Sequence, residues 1–310
     1  MRAKWLVCLL CCCSHAAARD IYVSNLGGDD RRDGTNARSL GARSGPVATI
    51  SKALRLAQPS DRIVLANTGQ PYREALSLVG SQHGGSVLGP LVIEGQGARL
   101  DGSVGIPDDQ WEHVAGDVFA YRPQRLGDQR LFVKGRPATC RPARWADERF
   151  PPLEPLEWSL WHGRIYFRVE PGRMPSDYEP RCCGLQTGIT LYYVEGVLIR
   201  DLVVQGFAVD GVAVYDVANQ TRLERLDCRA NGKSGISVRG ATWVELDDCH
   251  LYDNGGSQLR VSDFARLWLY DCRLGDRAAP AIEHRGGRLV IDGKRYEPSD
   301  LGAQQPLRSP

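Results

Sequence analysis

Charged side chains recur at matching positions in four short segments near the C-terminal end of the chain. The segments are DGVAVY from Asp210, SGISVR from Ser234, SQLRVS from Ser257 and PAIEHR from Pro280. Successive side chains of a strand point to opposite faces. One face then carries Val212, Val214, Ile236, Val238, Leu259 and Val261, and the other carries Ala213, Tyr215, Ser237, Arg239, Arg260, Ser262, Glu283 and Arg285. The second set, with Asp210 and Lys233 in the turns before the strands, gathers acidic and basic groups in one place.

Two chemistries can use such a cluster. Eliminative cleavage of a uronic-acid polysaccharide needs a cation to neutralise the substrate carboxylate, so that a base can remove the neighbouring carbon-bound proton. Lys233, Arg239 and Arg260 suit these roles, and calcium is an alternative cation. Glycoside hydrolysis needs two carboxylates roughly 5 to 9.5 Å apart. Asp210 and Glu283, or the neighbours Asp247 and Asp248, offer such a pair.

Elimination is preferred here, because basic residues outnumber well-placed acids. The predicted catalytic residues are Lys233, Arg239, Arg260, Asp210 and Glu283, and the predicted substrate contacts are Tyr215, Ser237 and Arg285. The structural alternative is a solvated ladder of ion pairs along a strand face. Other charged positions are predicted to be structural or simply solvated: Asp227, Asp248 and Asp271 as turn formers, and His250 as the equivalent of Arg229 and Arg273.

A second set of repeats indicates which elements position this cluster. The copies begin at Val197, Leu223, Val244 and Leu267, at sequence intervals of 26, 21 and 23 (223−197, 244−223, 267−244). Each copy alternates apolar and polar residues, and no helical stripe runs through residues 185 to 292. Two strands per circuit of about 22 residues predict an all-β fold, a single-stranded right-handed parallel β-helix.

Cysteines occupy three of these copies. Cys228, Cys249 and Cys272 take the same position when the copies are aligned, which predicts a stack of buried free thiols, with a metal site as the alternative. Cys140, Cys182 and Cys183 lie outside the repeats. In an exported protein, a disulfide between Cys140 and either Cys182 or Cys183 is one alternative to free thiols, and the sequence leaves their disulfide state open.

The N-terminal part of the chain resembles a known family. Its opening Tyr22-Val23-Ser24 and Asp33-Gly34-Thr35 is followed by the segment Pro46–Leu65, then by Tyr72-Arg73-Glu74 and Pro90–Ser103. This succession resembles the start of the secreted right-handed parallel β-helix proteins of the pectin-lyase-like superfamily. The resemblance implies the fold, with an N-terminal α-helical cap and an excursion packed on its side, but no single reaction. The set of paired aspartates, Gly-His-Gly and Arg-x-Lys that marks polygalacturonases is not present: Asp247-Asp248 stands alone, and the sequence contains no Gly-His-Gly.

The predicted cap is an amphipathic helix from Ile50 to Ala57, with Thr49 as its N-cap and Pro59 just beyond its end. A helix at the end of a β-helix covers strand groups that would otherwise recruit another chain. The Asp29-Asp30 pair and Asp33 are predicted to form turns and caps, with a calcium site as the alternative.

The repeat of about 22 residues is not present between residues 108 and 180, and this segment is predicted to form the side excursion. Several prolines exclude long central strands there, among them Pro151, Pro152, Pro155, Pro171, Pro175 and Pro180. The sequence WSLWHGRIYFRV predicts a β-hairpin that turns at His162-Gly163. Four tryptophans fall in this segment, and their predicted use is a small core, with stacking on sugar rings as the alternative: Trp111, Trp145, Trp158 and Trp161.

The first 18 residues have the form of a secretory signal peptide, with Arg2 and Lys4 before an apolar run and Ala16-Ala17-Ala18 at the cleavage site. The alternative is a lipid-modified cysteine among Cys11 to Cys13. Residues 19–296 are assigned to the β-helix domain and residues 297–310 to a tail. The predicted location is secreted, periplasmic or at the cell surface. No apolar run is long enough to span a membrane.

Without Arg2 and Lys4 the chain has 37 basic residues (39−2) and 37 acidic ones. This balance argues against general binding to nucleic acid, which depends on a clustered basic excess. The sequence therefore predicts an exported carbohydrate-active protein whose partner is an acidic polysaccharide, and leaves its oligomeric state open. The alternatives are a glycoside hydrolase on the same fold and a non-catalytic protein that binds glycan or another protein.

Overall fold

A computed structural model describes residues 18–301 except positions 81, 125–126, 145 and 276–278. Nearly all of the predicted signal peptide, the last nine residues of the predicted tail and Trp145 therefore lie outside the described residues. The described part of the chain contains no helix long and apolar enough to cross a membrane.

Most of the structure is built from two sheets of parallel strands. The first sheet runs in the order β1 (Asp20–Val23), β2 (Arg62–Leu65), β4 (Leu91–Asp101), β15 (Glu195–Gln205), β17 (Asn219–Glu224), β20 (Trp243–Asp247), β23 (Arg266–Tyr270) and β26 (Arg288–Ile291), and ends in the antiparallel β27 (Lys294–Tyr296). The second sheet runs in the order β3 (Leu76–Val79), β14 (Ile189–Tyr192), β16 (Asp210–Tyr215), β19 (Ser234–Val238), β22 (Ser257–Val261) and β25 (Ile282–His284).

From β14 onward the chain visits the two sheets in turn, so each circuit adds one strand to each sheet. Three short strands continue the far end of β15 along a further flank: β18 (Asp227–Arg229), β21 (His250–Tyr252) and β24 (Arg273–Leu274). The predicted parallel strands are thereby confirmed. The space between the sheets is filled by apolar side chains, among which the predicted inward residues of β16, β19 and β22 are fully buried.

The predicted register of the second sheet is confirmed. Asp210 pairs with Ser234 and Ser234 with Ser257, and farther along the strands Leu259 pairs with Ile282. In the first sheet the register runs Val197, Thr221, Val244, Leu267 and Leu289, in sequence steps of 24, 23, 23 and 22 (221−197, 244−221, 267−244, 289−267). The second copy therefore starts at Thr221, two residues before the predicted start at Leu223. The reason for the error is that Thr221, a polar residue, occupies the buried inward position of that circuit.

This shift corrects the predicted cysteine stack. Cys228 pairs with Leu251 in the next circuit, so it does not lie in the same row as Cys249. Cys249 and Cys272 are in the same row, since the Arg273 amide donates to the Cys249 carbonyl at 2.8 Å, and their thiols are hydrogen-bonded to each other. All six described cysteines are free, so the disulfide that the sequence left open for Cys140 is not formed.

The same shift changes two further predictions. His250 pairs with Asp227 on one side and Arg273 on the other, so its predicted equivalence to Arg229 is wrong. Asp248 and Asp271 have left-handed φ values of 47° and 51°, which confirms them as turn residues. Asp227, by contrast, lies within β18.

Two buried asparagines lie in the turns that lead into the second sheet. The Asn254 side chain donates to the Cys228 carbonyl at 3.0 Å and to the Gln258 side chain at 2.9 Å. Its oxygen accepts from the Asn231 backbone and side-chain amides, both at 3.0 Å. Asn231 in turn donates to the Val204 carbonyl at 3.2 Å. We name this chain of bonds the amide ladder. It satisfies polar backbone groups of three consecutive circuits inside the protein.

The predicted N-terminal helix is present as α1 (Ile50–Leu56), one residue shorter than expected because Ala57 is already extended. Thr49 caps it by accepting from the Lys52 amide at 3.1 Å. The Glu74 carboxylate accepts from two further amides of the first turn, both at 2.9 Å. These bonds satisfy donors that a helix start leaves unpaired. The face that carries Ile50, Ala53 and Leu54 is buried next to β1, β2 and β3.

The acidic residues before this helix are used as turn and cap formers. Asp30 accepts from the Ala48 and Thr49 amides at 2.8 and 2.9 Å. Asp33 accepts from the Thr35 amide at 3.0 Å, and Asp29 forms an ion pair with Arg31. The structural prediction for these three aspartates is therefore confirmed.

His83 joins the second sheet to α1 and should make stability depend on pH. Its Nδ1 accepts from the Val79 amide at 3.1 Å, and it also bonds to the Leu54 backbone. Burial lowers the pKa of this imidazole, so the folded state keeps it neutral. At a pH above about 6.5, the ordinary pKa of histidine, His83 is neutral in both the folded and the unfolded chain, and its contribution to stability is complete. At lower pH the unfolded chain binds a proton more readily than the folded chain does, so the free energy of unfolding decreases as the pH falls.

We expect His83→Gln to flatten this loss of stability between pH 7.5 and 5, measured as the urea midpoint at each pH. His113, which is exposed on the excursion, provides the matched control as His113→Gln. An unchanged pH slope in the His83 variant would contradict the assignment.

The excursion forms two small sheets of its own. Its elements are β5 (Ser103–Gly105), η1 (Asp108–Gln110), β6 (Glu112–Ala115), β7 (Val118–Tyr121), β8 (Leu131–Val133), β9 (Arg136–Pro137), β10 (Thr139–Cys140), β11 (Glu157–Trp161), β12 (Arg164–Arg168), η2 (Pro175–Tyr178) and β13 (Arg181–Cys183); a last 3-10 turn, η3 (Pro298–Leu301), follows β27. The predicted hairpin is confirmed, with Trp161 paired to Arg164. Trp158 is 1% exposed and Trp111 packs against the same cluster, which confirms the predicted local core for these two.

Candidate functional site

The parallel register of the second sheet brings the predicted site residues into rows. Ser237 pairs with Arg260 and Arg260 with Glu283, so side chains that lie a whole circuit apart in the sequence become neighbours. Strands of one sheet lie about 4.8 Å apart. The row is therefore a line of functional groups along one face.

An open depression of about 610 Å³ lies at the β25 end of this row. Four of the eight predicted site residues line it: Lys233, Arg260, Glu283 and Arg285. Arg260 Nε lies 3.3 Å from a Glu283 carboxylate oxygen, and Arg285 forms an ion pair with the other oxygen. The Glu283 carboxylate thus holds two guanidinium groups at the edge of the depression. We name this feature the cationic depression.

Basic groups outnumber acidic groups among the residues that line the cationic depression. The basic groups are the guanidinium groups of Arg260 and Arg285 and the amine of Lys233, and the acidic groups are the carboxylates of Glu283 and Asp128. Arg260 is only 22% exposed, so its charge is screened less by water than that of a fully exposed side chain. A bound carboxylate would meet donors that point toward the same space.

Asp210 lies close to the cationic depression but is buried. It is 5% exposed, and one of its carboxylate oxygens accepts no hydrogen bond from the described residues. Burial raises the pKa of Asp210, while the Ser234 hydrogen bond and the charges of Lys233, Arg260 and Arg239 oppose the rise. Asp210 can therefore influence its neighbours electrostatically, but little of its surface is open to a ligand.

Tyr215 and Arg239 form a second part of the site. The Arg239 guanidinium carbon lies 3.9 Å from the centre of the Tyr215 ring, a close cation–π contact. Burial raises the pKa of the Tyr215 hydroxyl, and the negative charge of Asp210 adds to the rise. The phenol therefore keeps its proton at neutral pH. Arg239 does not line the cationic depression, in contrast to Arg260.

Two predicted residues are less available than expected. Ser237 is 4% exposed, because it is a small residue in a row with larger side chains, so its hydroxyl is largely covered. The aspartates Asp247 and Asp248 lie at the end of β20 in the first sheet, whereas Asp210 and Glu283 belong to the second. The four acids therefore do not form one group.

Sequence reasoning missed Asp128 and His284, which also line the cationic depression. Asp128 comes from the excursion, which touches the turns of the second sheet: a Cβ atom on Gly232 would lie 2.6 Å from the Asp128 carbonyl oxygen. No local sequence pattern predicts this contact between Asp128 and Gly232. His284 is paired with Val261 and therefore occupies an inward position. The alternation of the strand predicts this position, but inward side chains were not among the candidate site residues.

A metal-dependent reaction was one of the predicted possibilities. Within the described ranges, no group of three or more His, Cys, Asp or Glu side chains is arranged to hold a metal ion.

Comparisons with known proteins give little guidance. No family model matches the chain, and no curated protein matches it significantly. A solved structure titled as the complex structure of XylC with xylose is similar at a TM-score of 0.40 and 11% sequence identity, over 88% of this chain and 69% of that one. Function is therefore inferred from the side chains of this chain alone.

Proposed function

We propose that this chain is an exported, carbohydrate-active protein that cleaves an acidic polysaccharide by elimination in the cationic depression. Its two parallel sheets are proposed to be walls of one right-handed β-helix over residues 19–296, with α1 as the cover of its N-terminal end and residues 108–180 as the side excursion. Residues 1–18 are proposed to be a signal peptide that is removed on export.

The observation that carries the proposal is the arrangement of Lys233, Arg260 and Arg285 around one depression. In a uronic-acid residue, the proton that elimination removes is on the ring carbon that carries the carboxylate. Neutralising that carboxylate makes the proton more acidic, because the negative charge that develops in the transition state is shared with the cations. Arg260 and Arg285 are proposed to bind the carboxylate, since both are already oriented by Glu283.

The remaining groups are proposed to move protons. Lys233, in its unprotonated form, takes the proton from the carbon next to the carboxylate. The electron pair of that carbon–hydrogen bond forms a carbon–carbon double bond as the glycosidic oxygen leaves. Tyr215 donates a proton to the leaving oxygen, because its raised pKa keeps the phenol protonated. Arg239 is proposed to fix the position of this phenol through its contact with the ring, and the charge of Asp210 helps to keep the phenol protonated.

Hydrolysis is the second candidate, and the buried Asp210 favours it. A carboxyl with a raised pKa is suited to act as a general acid, and Glu283 would be the second carboxylate. The poor exposure of Asp210 is the reason that elimination is preferred. The third possibility, a protein that binds glycan without cleaving it, uses the same positive charge.

One assay separates these functions. The purified mature chain is incubated with a panel of uronic-acid polymers, with and without calcium, while ultraviolet absorbance of unsaturated products and the number of reducing ends are both followed. Elimination raises both signals together. Reducing ends without absorbance would replace elimination by hydrolysis, and binding without either signal would replace catalysis by binding.

A further inference from the structure

A second cavity lies on the outer face of the first sheet, separate from the cationic depression. Its volume is about 350 Å³. The cavity is framed by three consecutive strands and by the loop before β4, and its lining includes Ser86, Val87, Pro90, Gln220, Trp243 and Glu245. Such a volume lies at the lower end of the range of small-molecule sites.

Trp243 supplies an exposed ring to this cavity. Its side chain is 41% exposed in spite of its size. The neighbouring indole of Trp268 lies 5.9 Å away between ring centres and is itself covered by Arg288, whose guanidinium carbon is 5.6 Å from its ring. Trp268 therefore supports Trp243 from one side. An exposed indole at a cavity is suited to stack on an apolar ring face.

Gln220 is held in a strained conformation at the same place. Its φ is +51°, in the left-handed region that residues other than glycine rarely adopt. The equivalent position in the preceding circuit is Gly196, with a φ of +61°. A glycine would therefore fit this position at lower cost. The Gln220 side-chain oxygen is also buried and accepts no hydrogen bond from the described residues.

Strain and an unsatisfied acceptor are both unfavourable, and both occur in one lining residue. Backbone outliers of this kind concentrate at binding sites. The Gln220 oxygen is covered in the free protein, so a ligand hydroxyl in the cavity would reach it after a rotation of the Gln220 side chain, and the new bond would remove the cost of leaving the oxygen unbonded.

The charge of this cavity differs from that of the cationic depression. Arg222 lies 3.1 Å from Glu224 and 3.4 Å from Glu245, so its positive charge is already balanced by two carboxylates. An anionic ligand gains nothing here. A ligand with hydroxyl groups and no charge can donate to Glu245 and to the Gln220 oxygen, and can accept from Arg222.

We propose that this cavity binds a neutral pyranose residue of a glycan, with one face of the sugar ring on Trp243 and its hydroxyl groups on Gln220, Arg222 and Glu245. The site is independent of the proposed cleavage, because it lies on the other sheet and selects a ligand of different charge. It would hold the protein on a glycan whether or not the cationic depression is catalytic.

The test is a titration of the full mature chain with three neutral probes, cellohexaose, xylohexaose and mannohexaose, followed by calorimetry and tryptophan fluorescence. At least one probe is expected to bind, and Trp243→Ala is expected to weaken that binding by about tenfold or more, the loss of about 1.4 kcal/mol. Gln220→Gly is expected to weaken binding while it raises Tm, because it removes an acceptor and relieves the strain together. The control is Phe264→Ala, an aromatic residue that is 81% exposed outside the cavity.

Three results would overturn the proposal. The first is that none of the neutral probes binds. The second is that Trp243→Ala and Gln220→Gly both bind as the unaltered chain does. The third is that a hexauronate competes at this site as well as a neutral probe. If Trp243→Ala does not fold, the Gln220→Gly result decides alone. Cleavage of uronic-acid polymers is measured separately, so its failure does not affect this outcome.

Discussion

Arg260→Ala is expected to lower the rate of eliminative cleavage of a uronic-acid polymer by about 100- to 1000-fold, the usual loss when one preorganised donor to a developing charge is removed. The reason is that Arg260 is only 22% exposed and lies at the centre of the row, between Ser237 and Glu283. Its loss leaves the substrate carboxylate with Arg285 alone, whose side chain is 65% exposed.

The measurement is the initial rate of absorbance increase at saturating polymer, with KM determined alongside. The loss should fall mainly on kcat, because the charge that Arg260 stabilises grows in the transition state. Arg273→Ala is the matched control, since Arg273 is exposed and belongs to β24 on another flank. A variant Arg260→Ala that cleaves as fast as the unaltered chain would show that the site lies elsewhere.

Asn254→Ala is expected to lower the free energy of unfolding by about 3 to 5 kcal/mol. Removing the Asn254 side chain takes away the acceptor of the Asn231 backbone amide and the side-chain donor to the Cys228 carbonyl. The side chains of Asn231 and Gln258 each lose one bond but keep another, to the Val204 carbonyl and from the Asn254 backbone amide. Each buried polar group left in this way costs about 1 to 3 kcal/mol, and some of them will recover bonds from water that enters the space.

The measurement is equilibrium unfolding in guanidinium chloride, supported by the shift in Tm. Asn67→Ala serves as the control, because Asn67 is exposed and makes only long bonds of 3.3 and 3.4 Å; its change should stay within about 0.5 kcal/mol. A loss below about 1 kcal/mol for Asn254→Ala would mean that the amide ladder is not needed for stability.

The strands β16, β19 and β22 of the second sheet could be predicted residue by residue, because their paired inward positions at Val212, Val214, Ile236, Val238, Leu259 and Val261 are all apolar. The hydrophobic pattern then fixes the register, since a slip of one residue would turn every side chain to the wrong face. The first sheet was harder. Thr221 is fully buried although threonine is a polar residue, so the alternation of apolar and polar residues does not mark it as an inward position. The predicted alignment of the copies was therefore wrong by two residues, and it put Cys228 in the wrong row.

The candidate site also combines features that the sequence could predict with features that it could not. The row of Ser237, Arg260 and Glu283 followed from alternation and repeat length, both of which are local properties. The position of Asp128 depends on how the excursion folds back onto the turn at Gly232, and the burial of Asp210 depends on the side chains that surround it. The cavity at Gln220 depends on a left-handed backbone φ at that residue. Glutamine rarely adopts this conformation, so the residue type does not predict it.

The circuits that start at Thr221 and Val244 are equal in length, and the turns at Arg225, Asp248 and Asp271 share one left-handed conformation. Such circuits are interchangeable modules. Gain or loss of one whole module would preserve every contact type in the interior while it lengthens or shortens the outer rows by one step. Duplication of a circuit would therefore lengthen the outer surface without any redesign of the scaffold.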